Sequence, residues 1–423
     1  VGRGIGIWGA FAVVHASLAW ICLGLPGTGI GELAVGLPLG DVTLVYRPWI
    51  ERALSGGPVV GVTTGWVYPV AAILPMLAAM GFGPDAYGPV WLALVTLFNS
   101  AAFALLLGSR PTRRRQAAAW WWLAFTALLG PIALARIDSI TVPIAIVAVL
   151  LVGRHPFVAG VVLAVATWMK VWPAALVGAL LVSARSRLSI LLAGVATSAV
   201  IASVVVLLGG WRHLFAFVTE QTGRGLQIEA PVSTAYLWMV SARVPGTAIY
   251  YDQSILTFQV AGPGIEAAIA VMTPLLVVAV AGTVCVGLLA VQRGASELRL
   301  FPSLALALVL VLIVVNKVGS PQFQTWLIAP VIAGILWRGR AFAWPAGIAL
   351  ALAALTQLLY PYLYGWLLSA APGMVAVLTL RNIGLCVLLG WALFDVWRAG
   401  RSARQSSSSA ASSRSTLAVS SPE

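Results

Sequence analysis

Charge is scarce in this chain, and lysine is nearly absent. Asp, Glu, Lys and Arg make up only 9% of 423 residues, and Lys170 and Lys317 are the two lysines in an otherwise arginine-based basic set. Cysteine is confined to Cys22, Cys285 and Cys386, all inside apolar runs and without ligand spacing. That usage implies neither a disulfide framework nor a metal site. His155 and His213 also lack ligand partners at useful spacing, so no metal is expected. Short alternating segments of the barrel type are missing, which argues against a membrane barrel. No internal repeat relates the two halves of the chain. What the chain does have is apolar sequence: AVILMFWYC residues reach 61%, and mean hydropathy is +0.98. A soluble core cannot hide the long runs that recur from residue 5 to 397, so the expected class is an all-α polytopic membrane protein. The net charge of +13 lies mostly in short arginine clusters between those runs. It reads as a topology signal, and no nucleic-acid partner is expected.

The runs at 5–25, 87–107, 117–135, 140–152, 157–182, 188–208, 265–291, 300–315, 323–337, 342–359 and 372–394 are expected to cross a bilayer as helices. The first resembles a signal peptide but lacks a persuasive cleavage site, so it is expected to remain as a span. Arg110 with 113–115, Arg154, Arg185 with Arg187, Arg293 with Arg299, and Arg338 with Arg340 separate the runs. The positive-inside rule asks for all of these clusters on the cytoplasmic side. Two adjustments satisfy it. Residues 67–82, with Pro69 and Pro75, become a re-entrant or interfacial helix inside the first external loop. The 157–182 run splits at TWMKVWPA into two short crossings, one on each side of Lys170. The count is then about twelve crossings with both termini inside, placing the protein in the plasma membrane. Residues 1–398 form the membrane domain, and the Ser-rich 399–423 is expected to be a disordered cytoplasmic tail.

This topology gathers ionisable residues on the external face. An unpaired charge near a span costs at least about 2.5–3.5 kcal/mol unless it lines a wet cavity. In GDVTLVYRPWIERALSGG at 40–57, Asp41 can cap a short helix running to Arg47, with Pro48 breaking it or starting a second. The segment is either a capped interfacial belt or the lip of a cavity. Glu51 falls past Pro48 and is expected to pair with Arg47 or Arg52. Arg136 and Asp138 are either a local ion pair at a helix start or part of the same cavity. Lys170, between Trp168 and Trp172, either snorkels among interfacial aromatics or faces that cavity. In NKVGSPQFQTW, Pro321 starts a helix with Ser320 as its cap, which leaves Lys317, Gln322 and Gln324 without an assigned role. Trp66, Tyr68, Tyr362 and Trp366 read most simply as aromatic anchors at the interface.

The stretches GDVTLVYRPW at 40–49, TGWVYP at 64–69, RIDSI at 136–140, ATWMKVWPAAL at 166–176 and NKVGSPQFQTWLIAP at 316–330 resemble the polytopic glycosyltransferases of the GT-C type. Specifically, they resemble glycosyltransferase family 87 of mycobacteria and related actinobacteria. One departure is Phe323, where that family often has Tyr. The resemblance implies a GT-C fold and a polyprenyl-phosphate-linked sugar donor, usually carrying mannose. It also implies a mannosylated glycolipid or lipoglycan acceptor at the external leaflet, membrane lipids as surroundings, and no cofactor. Asp41, matching the family's first-loop Asp, would be the general base. Lys170, Lys317 and Arg136 would meet the donor phosphate, with the loop residues Arg212, Arg224 and Arg243 as further cations. Tyr46, Arg47, Glu51, Tyr68, Asp138, Trp172, Ser320, Gln322 and Gln324 would make up the substrate-binding set. A twelve-helix transporter or lipid flippase is the competing class, and it usually shows repeats and charges near the membrane midplane.

Overall fold

The computed structural model describes residues 2–24, 37–253 and 255–419. Six of the helices are long and apolar enough to cross a membrane: Tyr87–Leu107, Arg187–Leu207, Ile265–Gln292, Glu297–Val314, the 321–362 run and Pro372–Arg401. Gly6–Cys22, Val70–Phe82, Asp138–Leu151, Pro156–Met169 and Ala174–Ser183 are shorter apolar helices. The protein is therefore an all-α membrane protein, and every run expected to cross coincides with a helix. The 321–362 run breaks at Gly339, whose φ of +59° suits only a residue without a side chain. The last helix continues from Pro372 to Val419, past residue 398.

Helix Pro156–Met169 ends where the TWMKVWPA motif predicts. Lys170 takes an extended backbone, and Pro173 leads into Ala174–Ser183. Pro173 explains the break: it has no amide to bond the Met169 carbonyl four residues back, and its ring would clash with that carbonyl in a continuous helix. Residues 70–82 fold as three short consecutive helical pieces packed on Tyr87–Leu107 and Pro156–Met169.

Burial separates inner helices from outer ones. In Glu297–Val314, 72% of the most apolar 18-residue stretch is buried, against 17% in Arg187–Leu207 and Ile265–Gln292. The first is the central post, and the other two present apolar side chains outward. That exposure costs nothing where lipid replaces water. Small residues allow close approach where polar contacts are few. A Cβ on Gly160 would stand 2.8 Å from Ala193 Cβ and 2.9 Å from the Ile190 carbonyl, so Pro156–Met169 and Arg187–Leu207 meet nearly backbone to backbone.

Polar contacts collect at the two ends of the bundle. At one end, Arg114 donates to the Leu336 and Trp337 carbonyls at 3.1 and 3.2 Å, and Glu297 accepts from the Arg185 amide at 3.2 Å. Arg338 pairs there with Asp395, with Ser303 bridging them. At the other end, strands Ala248–Asp252 and Thr257–Ala261 form an antiparallel hairpin. Residues 226–228 extend it: Ile228 N donates to Phe258 O at 3.1 Å, and Val260 N to Leu226 O at 3.0 Å. The Gln227 amide in turn donates to the Lys317 carbonyl at 3.0 Å, tying this loop to 316–320. Gly319 makes that contact possible, since a Cβ there would lie 2.2 Å from Ala230 N.

Candidate active site

The site is built from the loops at the hairpin end. Residues Asp41–Tyr46 form a π-helical turn that runs directly into the α-helix Arg47–Leu54, with Pro48 in its first turn. Proline is tolerated there because a first-turn amide has no helical partner to lose. Asp41 is the first residue of the turn, and the N-cap position belongs to Gly40. Asp41 therefore does not take the capping position, and its carboxylate enters an ion pair.

That carboxylate meets Arg136. Arg136 Nε stands 2.9 Å from Asp41 Oδ2; the arginine side chain is 7% exposed and the aspartate 38%. Three other contacts hold the guanidinium in place. It donates to the Pro38 carbonyl, to Ala135 O at 2.7 Å and, through NH2, to Tyr360 Oη at 3.2 Å. Tyr360 Oη itself donates to Leu37 O at 3.1 Å. A buried arginine needs such saturation, since each unmet donor would carry a desolvation cost. The local Arg136–Asp138 pair is thus not formed: Arg136 reaches across to the first loop.

Asp138 pairs with Lys170 instead. Lys170 Nζ lies 3.5 Å from Asp138 Oδ2, and Trp326 Nε1 donates to Asp138 Oδ1 at 2.6 Å. The Lys170 ammonium sits 4.7 Å from the centre of the Tyr68 ring and 5.8 Å from that of Phe323. Both distances fall within cation–π range. Phe323 stacks on Trp326 at 4.1 Å, so the residue that departs from the family pattern is a wall of the lysine's pocket. Tyr46 connects the two charge pairs. Its hydroxyl accepts from the Ile137 amide at 3.4 Å and lies 3.4 Å from Tyr68 Oη.

The remaining residues of the expected set divide. Glu51 lies 3.6 Å from Arg47 Nε one helical turn away, the expected pair. Trp172 is buried in the core, donating to Thr141 Oγ1 at 3.0 Å and stacking on Trp326 at 5.9 Å. Ser320 precedes the turn Pro321–Leu327, but its side chain makes no cap bond there, contrary to the expected capping role. Gln322 and Gln324 are buried, and Gln324 Oε1 has no hydrogen-bond partner among the described residues. Lys317 is buried too. Burial, and after it the nearby Arg224 guanidinium, holds its ammonium below the ordinary lysine value.

Two contributors were not singled out by sequence reasoning. Tyr360 sits in the aromatic cluster at 360–366, but nothing local shows that it meets Arg136. Glu229, in the loop after the hairpin-extending segment, pairs with Arg381 at 2.7 Å, both side chains being 2% exposed. Arg381 also donates to the Glu229 carbonyl at 2.7 Å, and Asn382 Nδ2 to Thr234 Oγ1 at 2.8 Å. A lone arginine inside an apolar helix was the available signal, because such a charge demands a partner.

Fold and site together define a membrane-embedded helical protein with paired acids and bases gathered at one end of its bundle. Residues 66–262, a little under half of the chain, match the sequence model of glycosyltransferase family 87, so this part of the chain is similar to that family. The matched region contains Arg136, Asp138, Lys170 and Glu229; Asp41 and Lys317 lie outside it. No curated protein matches the chain.

Proposed function

We propose that this protein is an inverting mannosyltransferase of the plasma membrane. It takes mannose from a polyprenyl-phosphate mannose donor and adds it, in α-1,2 linkage, to a glycolipid or lipoglycan acceptor at the external leaflet. The twelve-crossing GT-C arrangement, with the arginine-rich end cytoplasmic, belongs to the same proposal. The family match supports the reaction class. The observation that carries the rest is the convergence of the Asp41–Arg136 and Lys170–Asp138 pairs around Tyr46 and Tyr68. Two charge pairs drawn from three loops are more than helix packing requires.

The chemistry follows from that arrangement. The acceptor hydroxyl oxygen attacks the anomeric carbon and gives its proton to Asp41, the partly exposed carboxylate. The bond from that carbon to the phosphate oxygen breaks, and polyprenyl phosphate leaves with the electron pair. A phosphate needs no proton to depart, so one base suffices. A single displacement turns a β-linked mannosyl phosphate into an α-mannoside. Lys170 and Lys317 are the cations for the leaving phosphate. Arg136, with its donors already engaged, serves chiefly to hold Asp41 in position.

The test is transfer of label from radiolabelled polyprenyl-phosphate mannose in membranes with and without the protein. Chain-dependent appearance of α-mannosidase-sensitive label in glycolipid is the expected result. Labelled donor that remains unused, with native acceptor lipids present, would overturn the proposal.

A further inference from the structure

A second concavity lies beside the charged site. Its volume is about 300 Å³, and Trp49, Arg52, Thr64, Gly65, Trp66 and Glu220 are among the residues that bound it. This is the lower end of the range for small-ligand pockets, about 300–1,000 Å³. It suits one or two sugar rings better than an isoprenoid chain.

Its walls have two characters. Trp49 and Trp66 meet edge to face, with centroids 5.5 Å apart and planes at 87°. Opposite chemistry comes from the Arg52 guanidinium and the Glu220 carboxylate, both on exposed residues. Flat apolar rings beside charged hydrogen-bonding groups match a pyranose, which has an apolar C–H face and a rim of hydroxyls. Trp66 is 3% exposed and is fixed as a wall of the cavity by its edge-to-face contacts with Trp49 and Tyr68.

Glu220 closes in on the loop at Gly65: a Cβ there would stand 2.7 Å from its Oε1, so the bare glycine lets the carboxylate rest where it does. Gln221 Nε2 donates to Val67 O at 3.4 Å and seats the helix Ala216–Thr222 over the cavity. Tyr68 joins the cavity to the charged site: it contacts Trp66 and Trp49 on one side and Lys170 on the other.

We infer that this cavity is a sugar subsite that holds a pyranose of the acceptor glycan, one removed from the sugar whose hydroxyl reacts. The inference rests on the glycosyltransferase reading, and binding can be measured apart from turnover. The experiment is saturation-transfer NMR with methyl α-mannopyranoside and α-mannobiose, using the full chain in lipid nanodiscs free of sugar detergents. Saturable signals are expected from the unaltered protein. Arg52→Gln and Glu220→Gln alter only exposed side chains that line the cavity. Each should weaken affinity about five- to tenfold, the loss of one good hydrogen bond. Cys285→Ser, an exposed position away from both sites, should bind the sugars normally. Equal affinities across all variants, or no saturable signal from a protein that performs transfer, would overturn the subsite. Variant-sensitive binding in a protein that transfers nothing would support the subsite while removing the glycosyltransferase reading.

Discussion

Asp41 is the residue on which the proposed chemistry turns, and its surroundings make a narrow prediction. Its carboxylate is positioned by an arginine that is itself fixed by Pro38, Ala135 and Tyr360. Asp41→Asn preserves shape and leaves an oxygen to face Arg136, so the protein should insert and retain donor binding. Transfer should fall by on the order of 10²–10⁴-fold, the usual contribution of a positioned base. Glu51 is the competing carboxylate, but it spends itself on Arg47 within its own helix. Glu51→Gln should therefore cost far less. Assaying both variants for mannose transfer decides the matter: near-normal turnover by Asp41→Asn, or a larger loss in Glu51→Gln, would move the base elsewhere. Sequence reading had already put Asp41, Arg136 and Lys170 on one face, because charges between apolar runs are easy to see. It left open whether Arg136 pairs with Asp138, two residues away, or joins the cavity; the fold joins Arg136 to Asp41 and Asp138 to Lys170.

Among the elements, the loop that carries Glu229 is the one most dependent on a single attachment. Arg381 lies in the last helix, 2% exposed, and bonds both the side chain and the backbone of Glu229. Burial pushes the Glu229 carboxyl upward while Arg381 pulls it down, so removing the arginine strands a buried acid. Arg381→Met should destabilise by about 3–5 kcal/mol, the cost of breaking a buried pair from one side. A Glu229→Gln partner change should recover part of the loss, since it removes the stranded charge. Thermal unfolding in nanodiscs measures both, and a wild-type midpoint in Arg381→Met would show that the loop is held by other contacts. The same loop leans on 316–320 through the Gln227–Lys317 backbone bond and the Gly319 approach. Displacing it should therefore move Lys317 as well.

For the molecule as a whole, the arginine clusters lie at the end of the bundle opposite the Asp41–Arg136 and Lys170–Asp138 pairs, and the proposed orientation can be tested directly. Ser109 and Gly223 are both exposed, and Gly223 has an ordinary φ of −79° with open space around a Cβ. Cysteines placed at these positions in a version lacking Cys22, Cys285 and Cys386 should label from opposite sides with an impermeant thiol reagent, Gly223→Cys from outside. Labelling of both from one side would sink the twelve-crossing arrangement. Composition and periodicity alone determined the membrane class, the helical segments and the break at Lys170–Pro173, because these depend on hydropathy and on constraints within a few residues. They also determined that charged residues must find partners. Which partner each one finds was decided only by tertiary structure. Arg136 and Tyr360 are 224 residues apart, and Glu229 and Arg381 are 152 apart. A buried charge demands a counter-charge without specifying its place in the chain, so helix packing alone chooses among the few that come within reach.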